Sequence, residues 1–188
     1  FIMVKRVFCI GNGESRIGFD LNKLRPHGNI YGCNAIYRDF MPDVIVAVDY
    51  GIMHEIYHAD VAQKIPCYFR DWTKVPAMTY EPMLYGGMSK LEADEHIKDI
   101  VVSNDRGDSK EYVMHGANLQ GIVTMIKKNG DKYKKNVNNS QIKVSWITEN
   151  DKSNSLTDIM GGKDHGWSSG ASSAYVSISR EQPDEVYL

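Results

Sequence analysis

The stretch Val7-Phe8-Cys9-Ile10-Gly11-Asn12-Gly13-Glu14-Ser15-Arg16 decides the fold, because it joins an apolar run to a glycine-rich turn. Four consecutive apolar residues are typical of the first central strand of a parallel sheet that helices cover on both faces. Gly11 and Gly13 let the backbone turn sharply and approach a bound group closely. Asn12 and Ser15 add short polar side chains to the same loop. The stretch predicts a phosphate or nucleotide cradle, although an ordinary strand-to-helix turn explains it equally well.

The spacing of this loop matches neither of two common phosphate-binding motifs. The next glycine after Gly13 is Gly18, so the dinucleotide pattern G-x-G-x-x-G fails. No Gly-Lys-Ser or Gly-Lys-Thr follows either, which excludes a P-loop.

The composition is that of one globular domain spanning residues 1–188. Apolar residues make up 42% and charged residues 24% of the chain, and the net charge is −2. This charge gives no electrostatic case for a nucleic-acid or membrane partner, and no apolar run reaches the length of a membrane span. Cys9, Cys33 and Cys67 lack C-x-x-C spacing and lie in or beside apolar segments. They predict reduced core residues of a cytoplasmic protein.

Strand-like and helix-like segments alternate and predict an α/β, Rossmann-like fold, with a mostly parallel sheet and helices on both faces. Residues 71–115 interrupt the alternation with prolines, glycines and polar clusters, and predict a lid-like insertion with one strand at 100–102. Apolar residues of 118–128 recur at helical spacing. The strands are expected at 7–10, 29–34, 43–49, 65–69, 142–147 and 184–188, and the helices at 51–59, 118–128 and from about Gly170.

Polar residues lie at the ends of two predicted strands and at the start of the last predicted helix. Asn34 and Asp49 end their strands, where an open parallel sheet binds its ligand, although each also suits a helix N-cap. Ser168, Ser169 and Gly170 begin a helix whose N-terminus attracts an anion. A helix cap alone would explain the serines.

A further motif runs from His54 to His58, where the sequence HEIYH matches the zinc pattern H-E-x-x-H. No third ligand follows at the usual spacing, and the helix ends near Ala59. An exposed helix face is therefore the preferred interpretation, and a zinc peptidase remains an alternative. The chain has no D-x-D pair to hold a divalent metal on a sugar nucleotide, so no metal site is expected.

Taken together, these motifs resemble those of the bacterial sialyltransferases of the Campylobacter and Pasteurella type and the related Rossmann-like motility-accessory proteins. The resemblance rests on GNGES at 11–15, GCNAIY at 32–37, SSG at 168–170 and DEVYL at 184–188. It covers roughly residues 4–50 and 165–188 and leaves the middle of the chain unmatched. Glu14 stands where the family has proline, and Asp49 where it has asparagine.

The resemblance implies a cytidine monophosphate (CMP) sugar as the donor. Its binding residues would be Gly11, Asn12, Gly13, Ser15, Asn34, Ser168, Ser169 and Gly170. Asp49 would lie near the ribose or the leaving group. The family's catalytic histidine lies beyond the final strand, where this chain stops, so the resemblance leaves open whether the chain is a fragment.

The sequence therefore predicts a metal-independent glycosyltransferase that takes a nucleotide sugar and a glycan or other hydroxyl acceptor. The candidate catalytic residues are Asp49 and His165, which precedes the serine loop as the possible general base. A nucleotide-binding module without catalysis is the alternative, and a zinc peptidase through HEIYH is the second. No separate cofactor is expected, and the oligomeric state is left open.

Overall fold

The computed structural model describes residues 3–77, 109–115, 121–126, 132–137 and 143–188, with the backbone alone described over 121–126 and 132–137. Two compact units divide the chain. Unit 1 comprises Phe1–Trp72 and Lys152–Leu188, and unit 2 comprises Thr73–Asp151. The insertion predicted over 71–115 falls in unit 2 from Thr73 onward, and unit 2 continues past it. Residues 78–108, with the strand predicted at 100–102, lie outside the described residues.

The elements alternate between strands and short helices in unit 1, whereas the described elements of unit 2 are strands. The strands are β1 (Arg6–Ile10), β2 (Gly28–Cys33), β3 (Val44–Ala47), β4 (Cys67–Phe69), β5 (Val75–Pro76), β6 (Glu111–His115), β7 (Gly121–Ile126), β8 (Lys132–Val137), β9 (Lys143–Trp146), β10 (Ser153–Ser155) and β11 (Glu185–Tyr187). The α-helices are α1 (Tyr50–His58), α2 (Val61–Lys64), α3 (Leu156–Ile159) and α4 (Ser169–Glu181). Short 3-10 helices span Glu14–Arg16, Leu21–Leu24 and Asn34–Arg38.

Unit 1 is built around a six-stranded sheet in the order β10-β4-β3-β2-β1-β11, and every neighbouring pair is parallel. The chain advances in one direction from β1 through β4 to β10, and α4 then carries it back to β11 on the far side of β1. The direction of winding therefore reverses beside β1. Open parallel sheets bind ligands at such a switch point, outside the carboxyl ends of the strands. The predicted α/β, Rossmann-like fold is confirmed.

One face of this sheet packs under α3 and α4. Because side chains alternate along a strand, every second residue of the central strands points to this face. The core there consists of Val7, Cys9, Tyr31, Val44, Val46, Leu156, Met160 and Val176. The three cysteines are buried and unbridged, as the sequence predicted. Burial raises the pKa of the Cys9 and Cys33 thiols.

The opposite face packs against α1 through a cluster of aromatic side chains. Phe69 pairs with Ala47, so its side chain lies on the face opposite to Val46 and α4. Its ring packs edge-on against Trp72 at 4.7 Å, and Trp72 lies 5.1 Å from the His54 ring of α1. Helices thus cover both faces of the sheet.

The predicted helix over 118–128 is wrong. Gly121–Ile126 forms β7, which pairs antiparallel with β8 at Lys132–Val137. The apolar residues of GIVTMI fit a helical stripe, but the segment contains Ile, Val and Thr, whose branched side chains favour strands. The remaining described strands of unit 2 form an antiparallel sheet in the order β5-β6-β9.

Among the described residues, no helix is both long and apolar enough to pass through a membrane.

Candidate functional site

The loop after β1 is exposed, and Gly11 and Gly13 do not have the special backbone conformations that the sequence suggested. Neither Gly11 nor Gly13 has a positive φ, and Gly13 has φ −67° and ψ 156°, which any residue adopts. The left-handed residue of this loop is Gly18, with φ +81°. An added Cβ at Gly11 would meet no described atom within 4 Å, and one at Gly13 only Ser15 Oγ, at 3.7 Å. Gly11 and Gly13 are therefore not required by the turn, and the space above their backbone is open.

Asn12 fixes this loop to the neighbouring strand. Its Nδ2 donates a 2.8 Å hydrogen bond to the carbonyl oxygen of Cys33, the last residue of β2. Asn34 follows directly with φ +48°, a left-handed conformation that asparagine tolerates better than most residues. Asn34 is not an N-cap: it is the first residue of its 3-10 helix, and its side chain turns to α4 instead.

The N-terminus of α4 reaches the same place. Ser169 Oγ donates a 3.0 Å hydrogen bond to Oδ1 of Asn34, and Ser169 is only 7% exposed. Ser168 is the N-cap, and its Oγ accepts a 3.5 Å hydrogen bond from the backbone N–H of Ala171. The adjacent Gly170 is exposed. Asn12, Asn34 and Ser169 therefore bring the loop after β1, the end of β2 and the start of α4 together.

The other predicted site residues lie on the surface of unit 1. Asp49 occupies the N-cap position of α1, but its side chain makes no capping hydrogen bond and is exposed. Ser15 lies exposed in the 3-10 helix Glu14–Arg16. His165 is exposed and stacks on Trp167, with the ring centroids 4.8 Å apart and the planes 22° apart.

Two arginines that sequence reasoning missed hold these loops. Arg70 follows β4, and its Nη2 donates a 2.5 Å hydrogen bond to the carbonyl oxygen of Trp167. Its Nε lies 3.4 Å from Oδ1 of Asp164, so one hydrogen bond and one ion pair hold the loop that leads into α4. Arg16 Nη2 donates a 2.6 Å hydrogen bond to Oδ2 of Asp39. Arg70 directly follows a strand, as a polar residue at the end of a predicted strand. Its position therefore made it a candidate in the sequence for the same reason as Asn34 and Asp49.

A second polar group lies at the ends of β3 and β4. The Tyr50 hydroxyl donates a 3.4 Å hydrogen bond to Oδ2 of Asp71, which has φ +50°. Burial, followed by the negative charge of Asp71, raises the pKa of Tyr50. Tyr50 therefore stays protonated at neutral pH and acts as a donor.

A cavity of about 550 Å³ opens beside the loop after β1. Its lining comes from the residues between Asn12 and Asn22, except Ser15, together with Asp39 and Phe40. Ligand pockets typically measure about 300–1,000 Å³, so the space suits a small organic molecule. Unit 2 has a separate cavity of about 620 Å³, lined by Pro76, Ser109, Lys110, Glu111, Ile147, Thr148 and Glu149.

The HEIYH motif lies on α1, and His54 and Glu55 contact other residues of unit 1. His54 is fully buried and packs against Trp72. Glu55 Oε1 accepts hydrogen bonds from the Tyr37 hydroxyl at 2.5 Å and from Arg38 Nε at 2.9 Å. Within the described part of the chain, no group of three His, Cys, Asp or Glu side chains is placed to hold a metal ion. The exposed helix face predicted for the histidines is wrong for His54, whose ring completes the aromatic cluster.

The chain matches no protein-family model, no curated protein and no solved structure. The fold defines an α/β protein with a Rossmann-like parallel sheet. The sialyltransferase resemblance stays a prediction, and the functional proposal rests on the geometry of unit 1.

Proposed function

We propose that unit 1 binds a nucleotide sugar at the carboxyl edge of its parallel sheet and transfers the sugar without a metal ion. The observation that carries the proposal is the 3.0 Å hydrogen bond between Ser169 and Asn34. This bond brings the N-terminus of α4 to the end of β2, and Asn12 adds a side chain from the loop after β1. Three elements thus converge beside the switch point of the sheet, where open parallel sheets bind nucleotides.

Phosphate is the part of the ligand that this edge suits best. The N-terminus of a helix carries roughly half a positive charge, and its first N–H groups have no acceptor within the helix. In α4 the Ser168 side chain accepts from Ala171, which leaves the N–H groups of Ser169 and Gly170 outside the intrahelical hydrogen bonds. The same groups would offset the negative charge that develops on a departing phosphate. That chemistry needs no metal.

Transfer also requires a base that accepts the proton of the acceptor hydroxyl. His165 and Asp49 are exposed at the loop before α4 and at the start of α1, where an acceptor could reach them. A general base contributes about 10²- to 10⁴-fold to the rate. We expect His165→Ala or Asp49→Asn to lower the rate of sugar transfer by about 10²- to 10⁴-fold and to retain the affinity for the nucleotide. Binding without turnover of any nucleotide sugar would favour the alternative, a nucleotide-binding module without catalysis.

Thermal denaturation with nucleoside mono- and diphosphates tests the binding proposal. A ligand at about 100 times its dissociation constant stabilises the folded state by roughly 2.7 kcal/mol, a clear shift in melting temperature. We expect Asn12→Ala and Ser169→Ala to reduce the shift. Ser179→Ala, on the exposed face of the same helix, is the matched control and should leave it unchanged.

The proposal fails if no nucleotide changes the melting temperature at millimolar concentration. It also fails if Asn12→Ala and Ser169→Ala bind the stabilising nucleotide as tightly as the Ser179→Ala control does.

A further inference from the structure

The cavity beside the loop after β1 adjoins the proposed phosphate site through one shared residue. Asn12 lines the cavity, and its side chain donates to the carbonyl oxygen of Cys33, next to Asn34. A ligand whose phosphate lies at Asn34 and Ser169 can therefore extend into the cavity. For a nucleotide sugar, either the sugar or the base would occupy that space.

The charges of the cavity disfavour an anionic group. Its described lining contains three carboxylates, those of Glu14, Asp20 and Asp39, against one guanidinium, that of Arg16. Arg16 is already paired with Asp39 at 2.6 Å, so Glu14 and Asp20 are left without a cation in the lining. Asp20 accepts from the Asn22 backbone N–H at 3.0 Å, which leaves its other oxygen available. A carboxylate brought beside them would meet like charges.

The same cavity suits hydroxyl groups and C–H surface. Carboxylate oxygens only accept hydrogen bonds, so they pair with hydroxyl and amino donors. Ile17 and Phe19 also line the cavity, and they are 79% and 52% exposed. Phe40 also lines the cavity, and the Arg25 guanidinium stacks 4.8 Å above its ring. Hydrogen-bond acceptors beside exposed apolar side chains match the two kinds of surface on a sugar ring.

Given the proposed function, we infer that this cavity binds the sugar of the donor and selects one that carries hydroxyl or amino groups and no carboxylate. Glu14 and Asp20 determine this specificity. Sialic acid, the sugar for which the resembled sialyltransferases are named, carries a carboxylate, so we do not expect it to be the sugar bound here. This expectation follows from Glu14, which stands in the position of the family's proline and lines the cavity.

Titration calorimetry with sugars that differ only in charge tests the inference. UDP, UDP-glucose and UDP-glucuronate share a base, and the two sugars differ by one carboxylate. GDP-mannose and GDP-mannuronate form the equivalent pair if guanine is the preferred base. We expect the uncharged sugar to bind about tenfold more tightly than the uronate. If cytosine is preferred, CMP-N-acetylneuraminate should bind no more tightly than CMP.

The double variant Glu14→Gln, Asp20→Asn should bring the affinities for the uncharged and the anionic sugar nucleotide together. Glu149→Gln removes an exposed carboxylate of unit 2 and is the control, which should keep the difference. Equal or tighter binding of the anionic sugar by the wild-type chain overturns the inference and leaves nucleotide binding intact. Failure of every nucleotide to bind overturns the proposed function, and the inference with it.

Discussion

At the scale of single residues, two pairs of glycines in unit 1 have different physical roles. Gly28 opens β2 opposite Arg6, and a Cβ there would lie 2.1 Å from the Arg6 carbonyl oxygen. Gly32 is similarly confined, because its Cβ would meet Ile36 at 2.6 Å and Pro42 at 2.8 Å. Gly11 and Gly13 face open space instead. The first pair is needed to pack the sheet, whereas the second pair leaves the backbone accessible to a ligand.

We expect Gly28→Ala to destabilise the protein by about 1–3 kcal/mol, the usual cost of overpacking, because the clash is with backbone that must shift. Urea unfolding at neutral pH measures this. Gly13→Ala is the control: its φ suits alanine, so stability should hold or rise by about 0.4–1 kcal/mol. A Gly28→Ala variant as stable as wild type would show that β1 and β2 do not approach as closely as the structure has them.

At the scale of elements, β11 is the outer strand of the sheet beside the switch point. It pairs with β1 over three residues, and Phe8 stacks on Tyr187 with centroids 5.2 Å apart. Arg6 Nε donates a 2.5 Å hydrogen bond to Glu185 Oε2, which also accepts from the Tyr187 hydroxyl at 2.9 Å. The Arg6 bond, and then the Tyr187 bond, lower the pKa of Glu185.

The docking of β11 should therefore weaken in acid. A carboxyl group whose pKa is lowered by folding contributes its stability above the unfolded pKa, about 4.3 for Glu, and loses it as pH falls through the folded pKa. The protection of the 185–187 amides, which is the ratio of intrinsic to observed exchange rate, should fall below that range. Glu185→Gln should show lower protection at neutral pH and little further loss in acid, whereas Glu149→Gln should behave as wild type. Identical acid sensitivity in Glu185→Gln and wild type would contradict this.

The elements also show where sequence reasoning succeeds. The strands with continuous apolar runs, such as β1 and β3, are confirmed, and so are the helices α1 and α4. The apolar stripe expected on α4 is wrong, because the helix buries Ser172, Ser173, Val176 and Ser177 and leaves Ile178 51% exposed. The spacing of apolar residues in GIVTMI predicted a helix where the chain forms β7, because a six-residue apolar segment fits both helix and strand. What decides such a segment is its pairing partner, here β8, and a partner cannot be read from local periodicity.

At the scale of the whole molecule, the candidate site depends on contacts between residues far apart in sequence. Predicting that strand ends and a helix start meet was possible, because parallel strands share one carboxyl edge. The bond between Asn34 and Ser169 joins residues 135 positions apart, and the ion pair of Arg16 with Asp39 joins two separate loops. Side-chain partners of this kind follow from how the loops pack. The roles of Arg70 and of the cavity lining were missed for that reason.

The organisation into two units gives the functional proposal a definite location. Every residue of the proposed phosphate site and of its adjoining cavity belongs to unit 1. The cavity of about 620 Å³ belongs to unit 2 and has no residue in common with that site. We therefore expect nucleotide binding to alter the backbone hydrogen exchange of unit 1 at the carboxyl edge of its sheet.

Hydrogen–deuterium exchange with and without a stabilising nucleotide tests that claim most directly. We expect slower exchange in the peptides that cover 11–16 and 164–171, because a bound phosphate occupies the N–H groups of Ser169 and Gly170 and shields the glycine loop. Exchange in 109–115 and 147–149, around the cavity of unit 2, should not change. Protection confined to those unit 2 peptides, or binding that leaves 11–16 and 164–171 unprotected, would contradict the account.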